Sequence, residues 1–161
     1  TIGGLSLISL NSAVPTPWFQ AYGQLDSGQL TRLENLLTQL PPEAPKIVVV
    51  HHPPLVADGQ PDTRRHGNRS GPELMVPCHR HGVDQILCGH VHRAFSWEDP
   101  GHKPVTIHCA GSATQAVSSL GAGATYNRYH WDQQRLAGVE QRGYDPLTRQ
   151  FQLLKPAGAT T

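Results

Sequence analysis

Charge is scarce in this chain of 161 residues: 16% are Asp, Glu, Lys or Arg, and the formal net charge is +1 with histidine neutral. So few charges provide no basic face for nucleic acid or for an anionic membrane. No apolar run approaches the ~18 residues of a membrane span, and the first residues lack a secretory-signal pattern. Cysteine is equally sparse. Three residues, Cys78, Cys88 and Cys109, make an odd count with no C-x-x-C spacing. A disulfide framework is thereby disfavoured, and a reducing, cytoplasmic setting is expected. What is plentiful is glycine (16), proline (14) and histidine (10). The first two imply many turns and long loops, and the third invites a metal reading. The length suits one domain spanning 1–161 with a sizeable core. The chain opens on Thr1 and enters a strand-like run, Leu5–Leu10, almost at once. That abrupt start suggests processing, or a piece of something longer.

The apolar pattern predicts a strand over 5–10 and a loop over 11–24, the latter marked by Pro15, Pro17 and Gly23. Asp26 and Gln29 read as an N-cap and its capping-box partner. Leu30, Leu33, Leu36, Leu37 and Leu40 then follow at helical spacing as one apolar stripe, stopped by Pro41-Pro42. Lys46–Val50 reads as a strand buried on both faces. After a polar loop over 53–69, Ser70 and Glu73 form a second predicted capping box. Leu74, Met75 and Cys78 face inward on that helix, and Gly82 ends it. Asp84–Cys88 is the next buried strand. This order predicts parallel βαβ units. Residues 94–98, 105–110, 126–132, 136–142 and 149–153 follow as strands expected to be antiparallel, and the small-residue stretch 110–125 reads as a loop.

Two histidine clusters follow directly on the two buried strands: His51-His52-Pro53-Pro54 and Gly89-His90-Val91-His92. In open α/β sheets, sites form beyond the carboxyl ends of strands. The prolines keep the chain extended as it leaves the first strand, and Gly89 permits a sharp exit from the second. His90 and His92, two apart, can chelate one ion or hold one ion each of a close pair. A single histidine at a strand end is usually a satisfied polar residue, but two clusters at neighbouring strand ends are better explained as a metal site. Arg64 and Arg69 in the intervening loop are candidate phosphate clamps, against the plainer reading of a solvated loop. His79 and His81 complement a helix C-terminus. Cys78, Cys88 and Cys109 read as core, and His102, His108 and His130 carry no assigned role.

These two motifs, together with Gly82-Val83-Asp84 and the late Tyr126-Asn127-Arg128-Tyr129, resemble the calcineurin-like metallophosphoesterase superfamily, closest to its cyclic-nucleotide phosphodiesterase-like branch. The resemblance covers only that family's C-terminal half, because its D-x-H, G-D and G-N-H motifs are absent. It implies an α/β fold: half of a four-layer α/β/β/α sandwich, with a mixed sheet of parallel βαβ units followed by antiparallel strands. It implies a metal-dependent phosphoester hydrolase, with a phosphodiesterase favoured and a metal-bound hydroxide as nucleophile. The metal ligands it implies are His51, His90 and His92. His52, Arg64 and Arg69 would face the substrate, and no general acid is identified beyond His52. One or two divalent ions (Mn, Fe or Zn) and a small phosphoester are implied, with neither nucleic acid nor membrane as partner. A homo-oligomer or a complementing N-terminal half would cover the exposed sheet. The rival expectation is a non-catalytic metal-binding or interaction half-domain.

Overall fold

The computed structural model describes residues 4–62, 66–114, 123–132 and 135–154. A five-stranded sheet has the order β1-β2-β3-β5-β4, with β1 at Ser6–Leu10, β2 at Lys46–Val50, β3 at Gln85–Cys88, β4 at Phe95–Asp99 and β5 at Val105–Cys109. Strands β1, β2, β3 and β5 run parallel, and β4 runs antiparallel on the outer edge. A second, antiparallel sheet holds β6 (Thr125–Asp132), β7 (Arg135–Asp145) and β8 (Gln150–Leu153). The architecture is mixed α/β, with parallel βαβ units followed by antiparallel strands as expected.

Helices α1 (Ser27–Gln39) and α2 (Gly71–Arg80) cross over between the first three strands and pack against one sheet face. Leu33 and Leu37 from α1, and Leu74, Met75 and Cys78 from α2, form one core with Val48, Val50, Ile86, Cys88, Ile107 and Cys109. The strand residues alternate along the chain, as a pleated strand with one face on a helix layer demands. Asp26 caps α1, accepting from the backbone N–H of Gln29 at 2.8 Å. Gly82, at φ +60°, reverses the chain after α2.

Four expectations need correcting. Leu36 lies on the predicted stripe yet is half exposed, because the apolar arc of α1 is narrower than five leucines. Ser70 precedes α2 but makes no cap; its hydroxyl donates to the Leu25 carbonyl and accepts from the Leu25 N–H, stitching the loop before α1 to the start of α2. Strand β5 pairs antiparallel with β4 as expected, but it does not simply extend an antiparallel run, since it inserts between β3 and β4 and runs parallel to β3. Strand β2 is not buried on both faces either. Val49 is 36% exposed and its neighbour Leu7 on β1 is 45% exposed, although Ile47 on the same face is buried. The second sheet covers the other side of that face, where Tyr129 of β6 packs against His108 of β5. Part of the predicted 110–125 loop, residues 115–122, lies outside the described residues.

Candidate metal centre

Strands β2 and β3 are hydrogen-bonded neighbours and end level with each other, so their trailing segments emerge side by side. The N–H of Gly89 donates to the carbonyl of His51 at 3.0 Å and ties the two exits together. Beyond that link the chain turns hard. Val91 N–H donates back to the Gly89 carbonyl at 2.8 Å, and His90 and His92 adopt φ of +68° and +54°. Residues with side chains seldom take that conformation, and such strain is concentrated at working sites.

The turn brings the ring of His90 against the first cluster. Nε2 of His51 and Nδ1 of His90 are 3.1 Å apart. The ring centroids of His52 and His90 lie 4.1 Å apart, and one nitrogen from each of His51, His52 and His90 falls within 4.8 Å of the others. Tetrahedral zinc with bonds of about 2.05 Å needs donors about 3.3 Å apart. The His51–His90 pair therefore stands at ligand spacing already, and the residues fit a divalent ion. Among the described residues no carboxylate or cysteine joins this group.

Burial and mutual repulsion favour the neutral forms of His52 and His90, the form a ligand needs. Desolvation, followed by the charges of His90 and His51, lowers the pKa of His52 to about 4. Desolvation and then His51 also lower His90, with smaller contributions from His66 and His92. The Ala21 backbone opposes this at both rings by favouring their protonated forms, as a carbonyl acceptor does.

A second layer of contacts holds His52. Its Nδ1 is 2.8 Å from the hydroxyl of buried Ser12, and its backbone N–H donates to the same oxygen at 3.3 Å. Gly23 passes so close that a side-chain methyl there would overlap the His52 ring. Gly23 is fixed in turn, donating to the Gly67 carbonyl and accepting from the Arg69 N–H.

Of the residues expected at the site, His51 and His90 meet as the sequence predicts. His92 is exposed and outside the three-ring group, though near enough for its charge to act on His90. His52, expected to face substrate and named as the one candidate general acid, is part of the group. Arg69 lies with its guanidinium 3.3 Å from the centre of the Tyr22 ring. Arg64 lies outside the described residues. The sequence reading missed Ser12, Ala21 and Gly23. Of these only the glycine carries a signal, as one marker of the 11–24 loop.

Imidazoles gathered at the carboxyl ends of adjacent parallel strands, with helices on the far face, define an α/β protein built around a strand-end metal site. Residues 3–94 match the model of the calcineurin-like phosphoesterase family, more than half of the chain, and the chain belongs to that family. No curated protein matches it.

Proposed function

We propose that the protein is a metal-dependent phosphoester hydrolase that prefers diesters. The observation that carries this reading is the 3.1 Å approach of His51 Nε2 to His90 Nδ1, the spacing two ligands of one ion require. His51 and His90 hold the ion. His92 supplies the third donor by rotation of its exposed side chain, because His52 is already engaged by Ser12 and by Ala21. When bound, a divalent ion (zinc, iron or manganese) supplies Lewis-acid charge for a phosphoryl oxygen and makes water more acidic. His52, with Arg69 from the following loop, faces the ester. A cleft of about 450 Å³ opens beside His51 and runs between Val49, Leu87 and Tyr129, giving the substituents of a diester room.

The test is metal content after dialysis, followed by turnover of bis(p-nitrophenyl) phosphate and p-nitrophenyl phosphate with added manganese. About one ion per chain and faster diester turnover, both lost in His51→Ala, are expected. Retained metal without turnover would leave a metal-binding module; that reading is favoured by the absence of a carboxylate from the group among the described residues. We infer further that the uncovered face around Leu7 and Val49 meets another polypeptide, either a second copy or a complementing half.

A further inference from the structure

The loop between β1 and α1 is built as a unit. The N–H of Gln24 donates to the Ser12 carbonyl at 3.0 Å, so the loop's ends meet and residues 12–24 form an Ω-loop. Both ends and one interior residue bear on the histidine cluster: Ser12 bonds His52, Gly23 presses on the His52 ring, and the Ala21 backbone acts on His52 and His90. The tip does the opposite of what folding alone favours. Trp18 is 82% exposed and Phe19 is 93% exposed, their rings edge to face with centroids 6.2 Å apart. This exposure is fixed by structure. Gln20 N–H donates to the Pro17 carbonyl at 3.1 Å, the Thr16 hydroxyl donates to the Gln20 carbonyl at 2.7 Å, and Phe19 is held at φ +77°.

Two large aromatic rings held in water, one of them on the strained backbone of Phe19, give the fold nothing by themselves, so their use lies in something that arrives. Their position says what arrives. Trp18 is three residues from Ala21, at most about 11 Å along the chain from a residue that touches the cluster. A diester seated at the histidines has a second substituent beyond the one that the cleft beside His51 receives, and this tip lies within its reach. We propose that Trp18 and Phe19 are specificity-determining residues that stack on a planar aromatic substituent of the phosphoester, aryl or nucleoside. The proposal rests on the phosphoester reading above and adds the chemistry of the substituent. Aromatic side chains suit that task because stacking needs only a π-face and tolerates variety in the ring.

The experiment uses stable phosphonates and the zinc-loaded chain. Affinities of phenylphosphonate, methylphosphonate and the non-hydrolysable phosphonate analogue of adenosine 5′-monophosphate are measured by calorimetry, with Trp fluorescence alongside, in wild type, Trp18→Ala and Phe19→Gly. Phenylphosphonate is expected to bind about tenfold tighter than methylphosphonate and to quench fluorescence, with the quench lost in Trp18→Ala. A comparable gain for the nucleotide assigns a nucleoside substituent, and its absence assigns an aryl one. Phe19→Gly is expected to raise the melting temperature, by relieving the positive φ, while lowering the phenyl-to-methyl ratio. A structural role for Phe19 would lower both. Equal affinities for the two phosphonates in wild type, or an unchanged ratio in both variants, would overturn the proposal while leaving zinc uptake and the parent reading intact. Absence of zinc uptake overturns both. Trp18-dependent binding to phosphatidylcholine vesicles with no phosphonate preference would overturn it in favour of a membrane contact.

Discussion

The hydroxyl of Ser12 lies 2.8 Å from Nδ1 of His52, a residue forty positions further along the chain. Both are buried, and Ser12 also closes the Ω-loop through its carbonyl. One small side chain thus fixes a ring of the cluster and the loop that borders it. Ser12→Ala leaves the His52 nitrogen without this partner. Loss of a buried hydrogen bond of this kind costs about 1–3 kcal/mol. Outer partners of metal-site residues typically contribute 10–100-fold in affinity. Urea unfolding is expected to show the stability loss, and calorimetry a zinc affinity lower by about tenfold. Unchanged zinc affinity would show that His52 and its support stand apart from the metal.

Gly23→Ala tests the same region by overfilling. A methyl at Gly23 meets the His52 ring, and the Gly23 backbone is held by Gly67 and Arg69, so neither side yields easily. Overpacking of this type costs about 1–3 kcal/mol. The variant is expected to unfold at lower urea and to bind zinc more weakly. A neutral result on both readings would mean that the loop relaxes without disturbing the ring.

The ligand assignment separates by substitution. His51→Ala and His90→Ala remove the pair already at ligand spacing and are expected to lower zinc affinity by about a hundredfold or more. His92→Ala is expected to match them, and His52→Ala to cost less, because His52 is engaged elsewhere. If His52→Ala costs as much as His51→Ala and His92→Ala costs nothing, the third donor is His52. Zinc titrations of the four variants by calorimetry decide it.

The elements that form by local rules were legible in the sequence. Asp26 capping Gln29, the leucines of α1 and the apolar runs of β2 and β3 all announce themselves within a few residues. So did the meeting of His51 and His90, because parallel βαβ units bring consecutive strand ends together. What could not be read depends on contacts between distant segments. Ser70 serves Leu25, 45 residues away, although its neighbours spell a capping box. Strand β5 slots between β3 and β4, which no local pattern dictates. Residues Val48, Val49 and Val50 look alike in sequence, yet only Val49 lies open, since burial depends on what covers each face. Ser12 and Ala21 were invisible because a serine and an alanine in a proline-rich loop carry no chemical label.

Stability without metal should fall with acidity. His52, His90 and His108 all have pKa values lowered from 6.5, with burial the largest cause at each. For such groups the unfolded chain binds more protons than the folded one between the two pKa values, so stability rises with pH there. The contribution of His52 is complete above pH 6.5 and is lost progressively down to its folded value of about 4. Urea midpoints of the metal-free protein are therefore expected to be clearly lower at pH 5 than at pH 7.5, with His108→Gln reducing the difference. A flat profile would show that these rings are solvated in the folded chain.

Association is the expected outcome of the open face and the open edge together. The N–H of Ser6 donates to the Pro45 carbonyl on the β2 side, so by the alternation of a parallel ladder the backbone groups of Leu7 and Ser9 point outward. Among the described residues no strand pairs with that edge, and β1 carries no charge or proline to guard it. Its exposed Leu7 continues into exposed Val49 on the same face. An uncharged edge beside an apolar face is the surface on which chains pair. Light scattering at micromolar concentration is expected to give a mass well above the 17.5 kDa of one chain. Leu7→Glu and Val49→Glu together are expected to reduce that mass to one chain, while leaving the helical circular-dichroism signal in place because neither residue belongs to the core under the helices. A clean monomer in the parent chain would assign the face to a different polypeptide, and a binary mixture with a candidate complementing half would then be the measurement that shows it.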